Sequence, residues 1–259
     1  MILASASSAS VLLTFAAAAA YVVPAAGAAR MGEKAARIAL IAAWLLHGMA
    51  LAWGLVGDSP RFGWAQALSV TVWLVLTVYV VEREVFPQLR ARWALAVLGA
   101  VALLPALLFP GSPINGMGSP WFALHLGLGI ASYGLVAAAV IHAWLMQRAE
   151  HHMRHASDPY AGVPVLTLER LTFRFTTAGF VLLSATLLAG LVFGDWKWNH
   201  KYVLTLLAWL AFAVLLLGRA RFGWRGRRAV RMLYAGSLLL LLAYVGSRFV
   251  LEVVLGKQA

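Results

Sequence analysis

The sequence contains no cysteine among its 259 residues. This absence excludes disulfide bonds, thiol redox chemistry and thiolate ligation of a metal or of haem iron. Metal chemistry would have to use histidine, methionine, tyrosine or carboxylate ligands. The seven histidines are therefore the main candidate ligands.

Charged residues are also scarce, at 12% of the chain, about half the share found in a soluble domain. Hydrophobic residues make up 63% and come in long unbroken runs. Runs of about twenty apolar residues are what a membrane-spanning helix requires, whereas membrane strands would need short alternating segments. The sequence predicts an all-α polytopic helical bundle, with residues 1–259 forming a single integral membrane domain.

Eight apolar runs separated by breakers predict eight transmembrane helices. The predicted spans are 6–25, 36–57, 65–82, 93–109, 120–148, 172–194, 202–218 and 232–255. We interpret the first run as a transmembrane helix and not as a signal peptide, because no lysine or arginine precedes it.

The formal charge is +12, and most of the 21 lysines and arginines fall in alternate connectors. Basic residues mark the cytoplasmic connectors of membrane proteins, so the distribution predicts that both termini lie outside a bacterial inner membrane. We interpret the charge as a topology signal and expect no nucleic-acid binding. Trp64, Trp121, Trp196 and Trp198 then fall at the outer interface, where an aromatic belt is typical.

His47 falls near the middle of the second predicted span. A polar side chain at that depth is costly, which makes it a candidate functional residue, for example as ligand of a second, buried haem. An interhelical hydrogen bond explains it equally well. The sequence leaves both interpretations open.

His125, Gly129 and Ser132 share one face of the fifth span, at i, i+4 and i+7. Small residues on a helix face let another surface approach closely. That surface is either a neighbouring helix or a flat macrocycle with His125 as an axial iron ligand. The spacing does not decide between these alternatives.

The outer segment after the sixth span combines Trp196, Lys197, Trp198, His200 and Lys201. Indoles stack on a porphyrin face, lysines pair with propionates, and imidazole ligates iron. The alternative is an interfacial loop whose tryptophans and lysines anchor the ends of helices.

Three stretches resemble segments of the cytochrome c assembly membrane proteins (the CcsA/CcmC/CcmF group). The stretches are Leu124–Tyr133, similar to HVSxxxxSYA; Leu168–Phe180, similar to LDxxSYR followed by GF; and Trp196–Leu210, similar to a shortened Trp-rich motif and its helix. Their order and spacing also match. The resemblance covers about residues 119–250, and residues 1–118 match only in hydrophobic character.

The sequence departs from the family pattern at three places. Asn199 and His200 stand where the family has Asp-Pro, Leu217 stands at an intramembrane histidine, and no histidine follows Gly246. The pattern resembles the short YpjD-like or HemX-like branch. By this resemblance His125 is the outer iron ligand that survives, and our hypothesis is that His200 replaces the missing partner.

The resemblance implies a haem-binding, haem-handling inner-membrane protein of cytochrome c-type biogenesis. We expect haem b beneath the Trp-rich loop, with Lys197, Lys201 or Arg248 pairing with its propionates. Arg248 also has an alternative partner in Glu252, four residues along the helix. Besides the lipid bilayer, the implied partners are apocytochrome c or other maturation proteins.

Two other function classes remain. Loss of the family histidines and the basic segment Arg219–Arg231 suit a regulatory or scaffold protein acting on tetrapyrrole metabolism or on a membrane partner. A small-molecule transporter is disfavoured, because it predicts internal repeats and intramembrane charge. We expect no enzyme, since the sequence shows no Ser/His/Asp arrangement and no phosphate-binding glycine loop.

Overall fold

The computed structural model describes residues 8–27, 30–57, 60–85, 92–114, 119–154, 164–193 and 199–256. Within these ranges the chain forms eight helices and one pair of two-residue strands. The helices are α1 Ser8–Ala26, α2 Glu33–Val56, α3 Trp64–Val85, α4 Arg92–Leu108, α5 Pro120–Arg154, α6 Val165–Phe193, α7 His200–Phe222 and α8 Gly226–Val254. The strands β1 (Arg61–Phe62) and β2 (Ser112–Pro113) pair antiparallel.

Each of the eight predicted spans coincides with one helix, which confirms the all-α polytopic architecture. Seven of these helices are long and apolar enough to cross a membrane. The exception is α4, which has 17 residues and contains Pro105. At 1.5 Å per residue it is about 25 Å long, somewhat less than the roughly 30 Å of a bilayer core.

The helices extend beyond the predicted spans at the ends where charge increases. α5 continues past residue 148 to Arg154, and α6 begins at Val165, before residue 172. The 35 residues of α5 are about 52 Å long and exceed the bilayer core. Hydropathy detects only the part of a helix that lies in lipid, so it misses these polar turns.

Two π-helical turns interrupt the regular spacing of α8, at Leu242–Gly246 and Val250–Val254. The Ser247 hydroxyl donates a 3.0 Å hydrogen bond to the carbonyl oxygen of Leu242, five residues earlier. Such π-turns insert one residue into a helical turn and shift the faces that follow.

The chain folds as two compact units. The first contains Met1–Glu82, Arg90–Asn115 and Arg248–Ala259, and the second contains Arg83–Leu89 and Gly116–Ser247. The predicted single membrane domain therefore has two packing units, which are described separately below.

Aromatic side chains hold α2 against α3 in the first unit. Trp44 and Trp73 stack with ring centroids 5.4 Å apart. The Trp73 indole donates a 3.0 Å hydrogen bond to the Trp44 carbonyl oxygen, and the Trp44 indole donates a 2.9 Å hydrogen bond to the Thr77 hydroxyl. These interhelical hydrogen bonds satisfy both indole N–H groups, which would find no acceptor in the hydrocarbon of a bilayer.

Trp64 corrects one expectation of the sequence. It is only 9% exposed and packs on the rings of Phe109 and Phe249, at centroid distances of 5.2 Å and 5.1 Å. The predicted belt position would instead face the headgroups. Trp121 is 51% exposed, as a belt residue should be.

In the second unit, α5 packs along α6, and α7 packs along α8. Ser132 on α5 donates a 3.0 Å hydrogen bond to the Gly179 carbonyl oxygen on α6. The Tyr133 hydroxyl donates to the Leu240 carbonyl oxygen, which joins α5 to α8. Small and hydroxyl-bearing residues thus make close helix contacts in a setting where lipid removes the hydrophobic driving force.

Candidate functional site

His125 lies in the second turn of α5, and its imidazole packs on α6. A Cβ atom placed on Gly190 would lie 3.3 Å from Cε1 and 3.6 Å from Nδ1 of this ring. The imidazole therefore packs closely on the backbone of Gly190, and an alanine there would require the ring to shift by a few tenths of an ångström. The rest of the residue is partly exposed.

The ring nitrogens of His125 make no hydrogen bond to the part of the chain that the structure describes. Its Nδ1 atom is buried and has no hydrogen-bond partner among the described residues. A buried polar atom without a partner costs free energy and calls for an explanation, such as an absent ligand or ion. His125 thus has the chemistry of an available ligand.

The small residues that follow His125 face α6. A Cβ atom on Gly129 would lie 3.6 Å from Cγ2 of Thr186. Ser132 uses its hydroxyl on the Gly179 carbonyl oxygen. This geometry favours helix packing over a macrocycle slot for Gly129 and Ser132, while Gly127 has open space beside its Cα.

His200 and Lys201 begin α7. The Asn199 side chain caps this helix by accepting a 3.1 Å hydrogen bond from the Tyr202 backbone N–H. His200 is exposed, and no hydrogen bond or ring contact within the described ranges joins it to His125. Their joint ligation of one iron stays a prediction. Trp196, Lys197 and Trp198 fall outside the described residues.

His47 lies in the first unit and is fully buried, with 0% exposure. Its Nε2 atom is 2.9 Å from the Ser69 hydroxyl oxygen on α3, and its Nδ1 atom is 3.3 Å from the Tyr21 hydroxyl oxygen on α1. A neutral imidazole has one donor and one acceptor nitrogen, so one hydroxyl donates to the ring and the other accepts from it. This geometry favours the interhelical hydrogen-bond alternative.

Sequence reasoning missed the partners Tyr21 and Ser69. The Tyr21 hydroxyl lies in an otherwise apolar run, and that isolation was the available signal, whereas Ser69 has polar neighbours in the sequence. Arg248 and Glu252 form an ion pair with a 3.7 Å separation between Nη1 and Oε1, which matches the alternative predicted for Arg248. Across the described ranges, no group of three or more histidine or acidic residues is placed to hold a metal ion.

Comparison with known proteins assigns the chain a family. The model of the family described as "Cytochrome C assembly protein" matches residues 4–255. The resemblance in the sequence was assigned only to about residues 119–250, and this match corrects that limit.

Three relatives support the family. Inner membrane protein YpjD of Escherichia coli K12 is 29% identical over 232 residues, covering 86% of this chain and 88% of YpjD. An uncharacterized 28.8 kDa protein of Azospirillum brasilense is 30% identical over 227 residues, covering 79% and 82% of the two chains. Cytochrome c biogenesis protein CcsA of Parasynechococcus marenigrum is 26% identical over 258 residues, covering 84% of each.

No solved structure matches this chain. The family match over nearly the whole length agrees with the all-α membrane bundle described above, and it confirms the family predicted from three short stretches. This polytopic membrane protein belongs to the cytochrome c assembly protein family.

Proposed function

We propose that this protein binds haem b through His125 and presents it at the outer face of a bacterial inner membrane. The family supports the broader role, a haem-handling membrane protein of cytochrome c biogenesis. The name of YpjD supports the inner-membrane location. The observation that carries the assignment to His125 is its partly exposed imidazole, which makes no hydrogen bond to the described residues.

His125 fits an iron ligand better than His47 does. Imidazole is a common axial ligand of haem iron. His125 would give up no hydrogen bond of the described fold on ligation, whereas His47 would give up one to Ser69 or Tyr21. We therefore assign the outer haem to His125 and retain no buried haem at His47.

The remaining groups around α7 would hold the haem without reacting. His200 is exposed at the first turn of α7, and Lys201 follows it. An imidazole is suited to the second axial position, and an ammonium group is suited to a propionate. When bound, the haem supplies an iron centre whose redox properties depend on these ligands.

We propose a binding role and not catalysis for this chain. Covalent attachment of haem would then belong to other maturation proteins, with apocytochrome c as the acceptor. The chain itself would hold the haem in one orientation and release it to that acceptor.

The test is the absorption spectrum of the purified full-length protein, oxidised and reduced, with a pyridine haemochrome assay. We expect a Soret band and haem b in the wild type, and loss of both in His125→Ala. His151→Ala is the matched control, because His151 lies on the same helix 26 residues further, about 39 Å away. His200→Ala should shift the band while retaining part of the haem.

Rescue separates ligation from a folding defect. Added imidazole should restore the band in His125→Gly, since it can occupy the space of the missing ring. Identical spectra for His125→Ala and His151→Ala would overturn the ligand assignment. A colourless wild type that refuses added haem would overturn haem binding itself and favour the regulatory or scaffold role.

A further inference from the structure

Four arginines and one glutamate line the same cleft in the second unit, where the first turns of α6 meet the α7–α8 connection. Nη1 of Arg219 lies 2.7 Å from Oε1 of Glu169, and Nε of Arg225 lies 3.4 Å from the same oxygen. Arg170 and Arg174 follow Glu169 on α6, and both are exposed. One carboxylate cannot neutralise four guanidinium groups, so this cluster carries an excess of positive charge.

These residues line an open cleft of about 680 Å³. Its lining also includes Leu166, Phe173, Thr177 and Ala178 of α6. The cleft therefore has a cationic end, formed by the four arginines, and an apolar wall along one helix. This amphipathic character limits the ligands that fit it.

Part of the cationic end is held in place before any ligand arrives. The Arg219 guanidinium lies 4.4 Å from the centroid of the Phe173 ring. It also donates a 3.3 Å hydrogen bond to the Trp224 carbonyl oxygen. By contrast, no ion pair within the described residues uses Arg170 or Arg174. Arg219 and Arg225 thus pair with Glu169, whereas Arg170 and Arg174 have no ion-pair partner among the described residues, and all four line the cleft.

We propose that this cleft binds the phosphodiester headgroup of an anionic phospholipid. Arginine forms paired hydrogen bonds with phosphate oxygens and is the side chain best suited to them. The excess positive charge complements the negative charge of the headgroup. Basic pockets between helices at the cytoplasmic side of a membrane are suited to such headgroups.

The depth of the cleft favours a lipid over a free phosphate ion. α6 has 29 residues and is about 43 Å long, so it exceeds the roughly 30 Å bilayer core. Arg170 and Arg174 lie within about 14 Å of its N-terminal end, which is headgroup depth. Thr177 and Ala178 follow Arg174 toward the bilayer core and are both exposed, so the start of an acyl chain can lie along this part of α6.

The position of the cleft also agrees with the distribution of basic residues among the connectors of the sequence. The predicted topology places the start of α6 and the α7–α8 connection on the cytoplasmic side. The cytoplasmic leaflet contains anionic lipids, which attract basic segments near its surface. This inference does not depend on haem binding, because the cleft shares no residue with the proposed haem ligands.

The experiment titrates phosphatidylglycerol into the purified full-length protein in a neutral detergent and follows lipid binding by native mass spectrometry. We expect saturable binding of phosphatidylglycerol and not of phosphatidylcholine. Each arginine near the surface contributes roughly fivefold to such binding, so Arg170→Gln/Arg174→Gln should weaken it about 25-fold. Arg227→Gln/Arg231→Gln is the control, because it removes the same charge from exposed positions of α8 outside the cleft lining.

Equal weakening in the two double variants would overturn the site and indicate general surface attraction. Inorganic phosphate should not displace the lipid at matched concentration; displacement by phosphate alone would overturn the lipid assignment. Arg170→Lys/Arg174→Lys keeps the charge and is the control for a folding defect in the glutamine variant. It should bind with intermediate affinity, because lysine lacks the guanidinium fork.

Discussion

His47 and His125 are the same residue type in helices of the same membrane protein, but their surroundings are opposite. His47 is fully buried, and hydroxyl groups from two other helices engage both of its ring nitrogens. His125 is partly exposed, and its buried Nδ1 atom has no partner in the described residues. Burial alone favours His47 as the candidate ligand. The hydrogen-bond partners of the two imidazole rings favour the proposal of His125 instead.

The comparison teaches that a polar residue in a membrane helix has two possible causes. One is stability, because hydrogen bonds between helices replace the missing hydrophobic driving force. The other is a ligand, because a group outside the fold can satisfy a polar atom that the fold leaves without a partner. His47 illustrates the former cause, and we propose the latter for His125.

The largest expected effect comes from His47→Leu. The substitution leaves the Tyr21 and Ser69 hydroxyls without their imidazole partner, so we expect a loss of about 2 kcal/mol in the free energy of unfolding. SDS-induced unfolding in mixed micelles measures it. His142→Leu is a useful control, since the His142 ring donates a 2.7 Å hydrogen bond to the Ala138 carbonyl oxygen of its own helix and packs on the Phe175 ring of α6, an apolar contact that leucine can also make. An equal cost for both variants would contradict the special role of the His47 triad.

Much of the fold was predictable from the sequence, because apolar runs and breakers report directly on membrane helices. The polar ends of α5 and α6 were not, since hydropathy says nothing about helix outside the lipid. The π-turns in α8 also leave no signature in hydropathy. Trp64 was placed wrongly, because a tryptophan near a helix start is typical of both a belt and a buried aromatic cluster.

A smaller effect separates the two partners of His47. Ser69 lies 2.9 Å from Nε2, whereas Tyr21 lies 3.3 Å from Nδ1. The shorter hydrogen bond should be the stronger, so Ser69→Ala should cost about 1 kcal/mol and Tyr21→Phe less. In double-mutant cycles, neither Ser69→Ala nor Tyr21→Phe should lower the free energy of unfolding further once His47→Leu is present. A larger cost for Tyr21→Phe, or full additivity, would contradict the triad geometry.

The candidate site was only partly predictable. The sequence placed His125, Gly129 and Ser132 on one helix face, and the structure shows that face packed on α6. Periodicity gives the face of a helix, but it does not identify what lies opposite. The imidazole of His125 packs on Gly190, which is distant in sequence, and the sequence of neither helix shows which other helix it contacts.

Ser132→Ala tests the packing interpretation in the second unit. The Ser132 hydroxyl donates to a carbonyl oxygen on α6, and such interhelical hydrogen bonds contribute about 0.6 kcal/mol on average. Thr177→Ala is the control, because the Thr177 hydroxyl donates only to the Phe173 carbonyl oxygen of its own helix. Unfolding in SDS should detect a cost for the first variant and almost none for the second. The reverse order would favour a ligand slot over packing on this face.

The smallest expected effect on stability comes from His125→Leu, although this variant should lose its bound haem completely. Leucine removes a buried nitrogen that has no partner, so the free energy of unfolding should stay within about 0.5 kcal/mol of wild type. The measurement must compare haem-free preparations, because a bound ligand stabilises the native state by mass action.

Gly190→Ala is the companion variant. Its methyl group would lie 3.3 Å from Cε1 of His125, so it should displace the ring and shift the Soret band without a large loss of stability. If His125→Leu were as costly as His47→Leu, the ring of His125 would have a structural role, and the contrast between the two histidines would fail. If His125→Leu were as stable as the wild type and bound no haem, the imidazole of His125 would be a haem ligand that the fold does not need for stability.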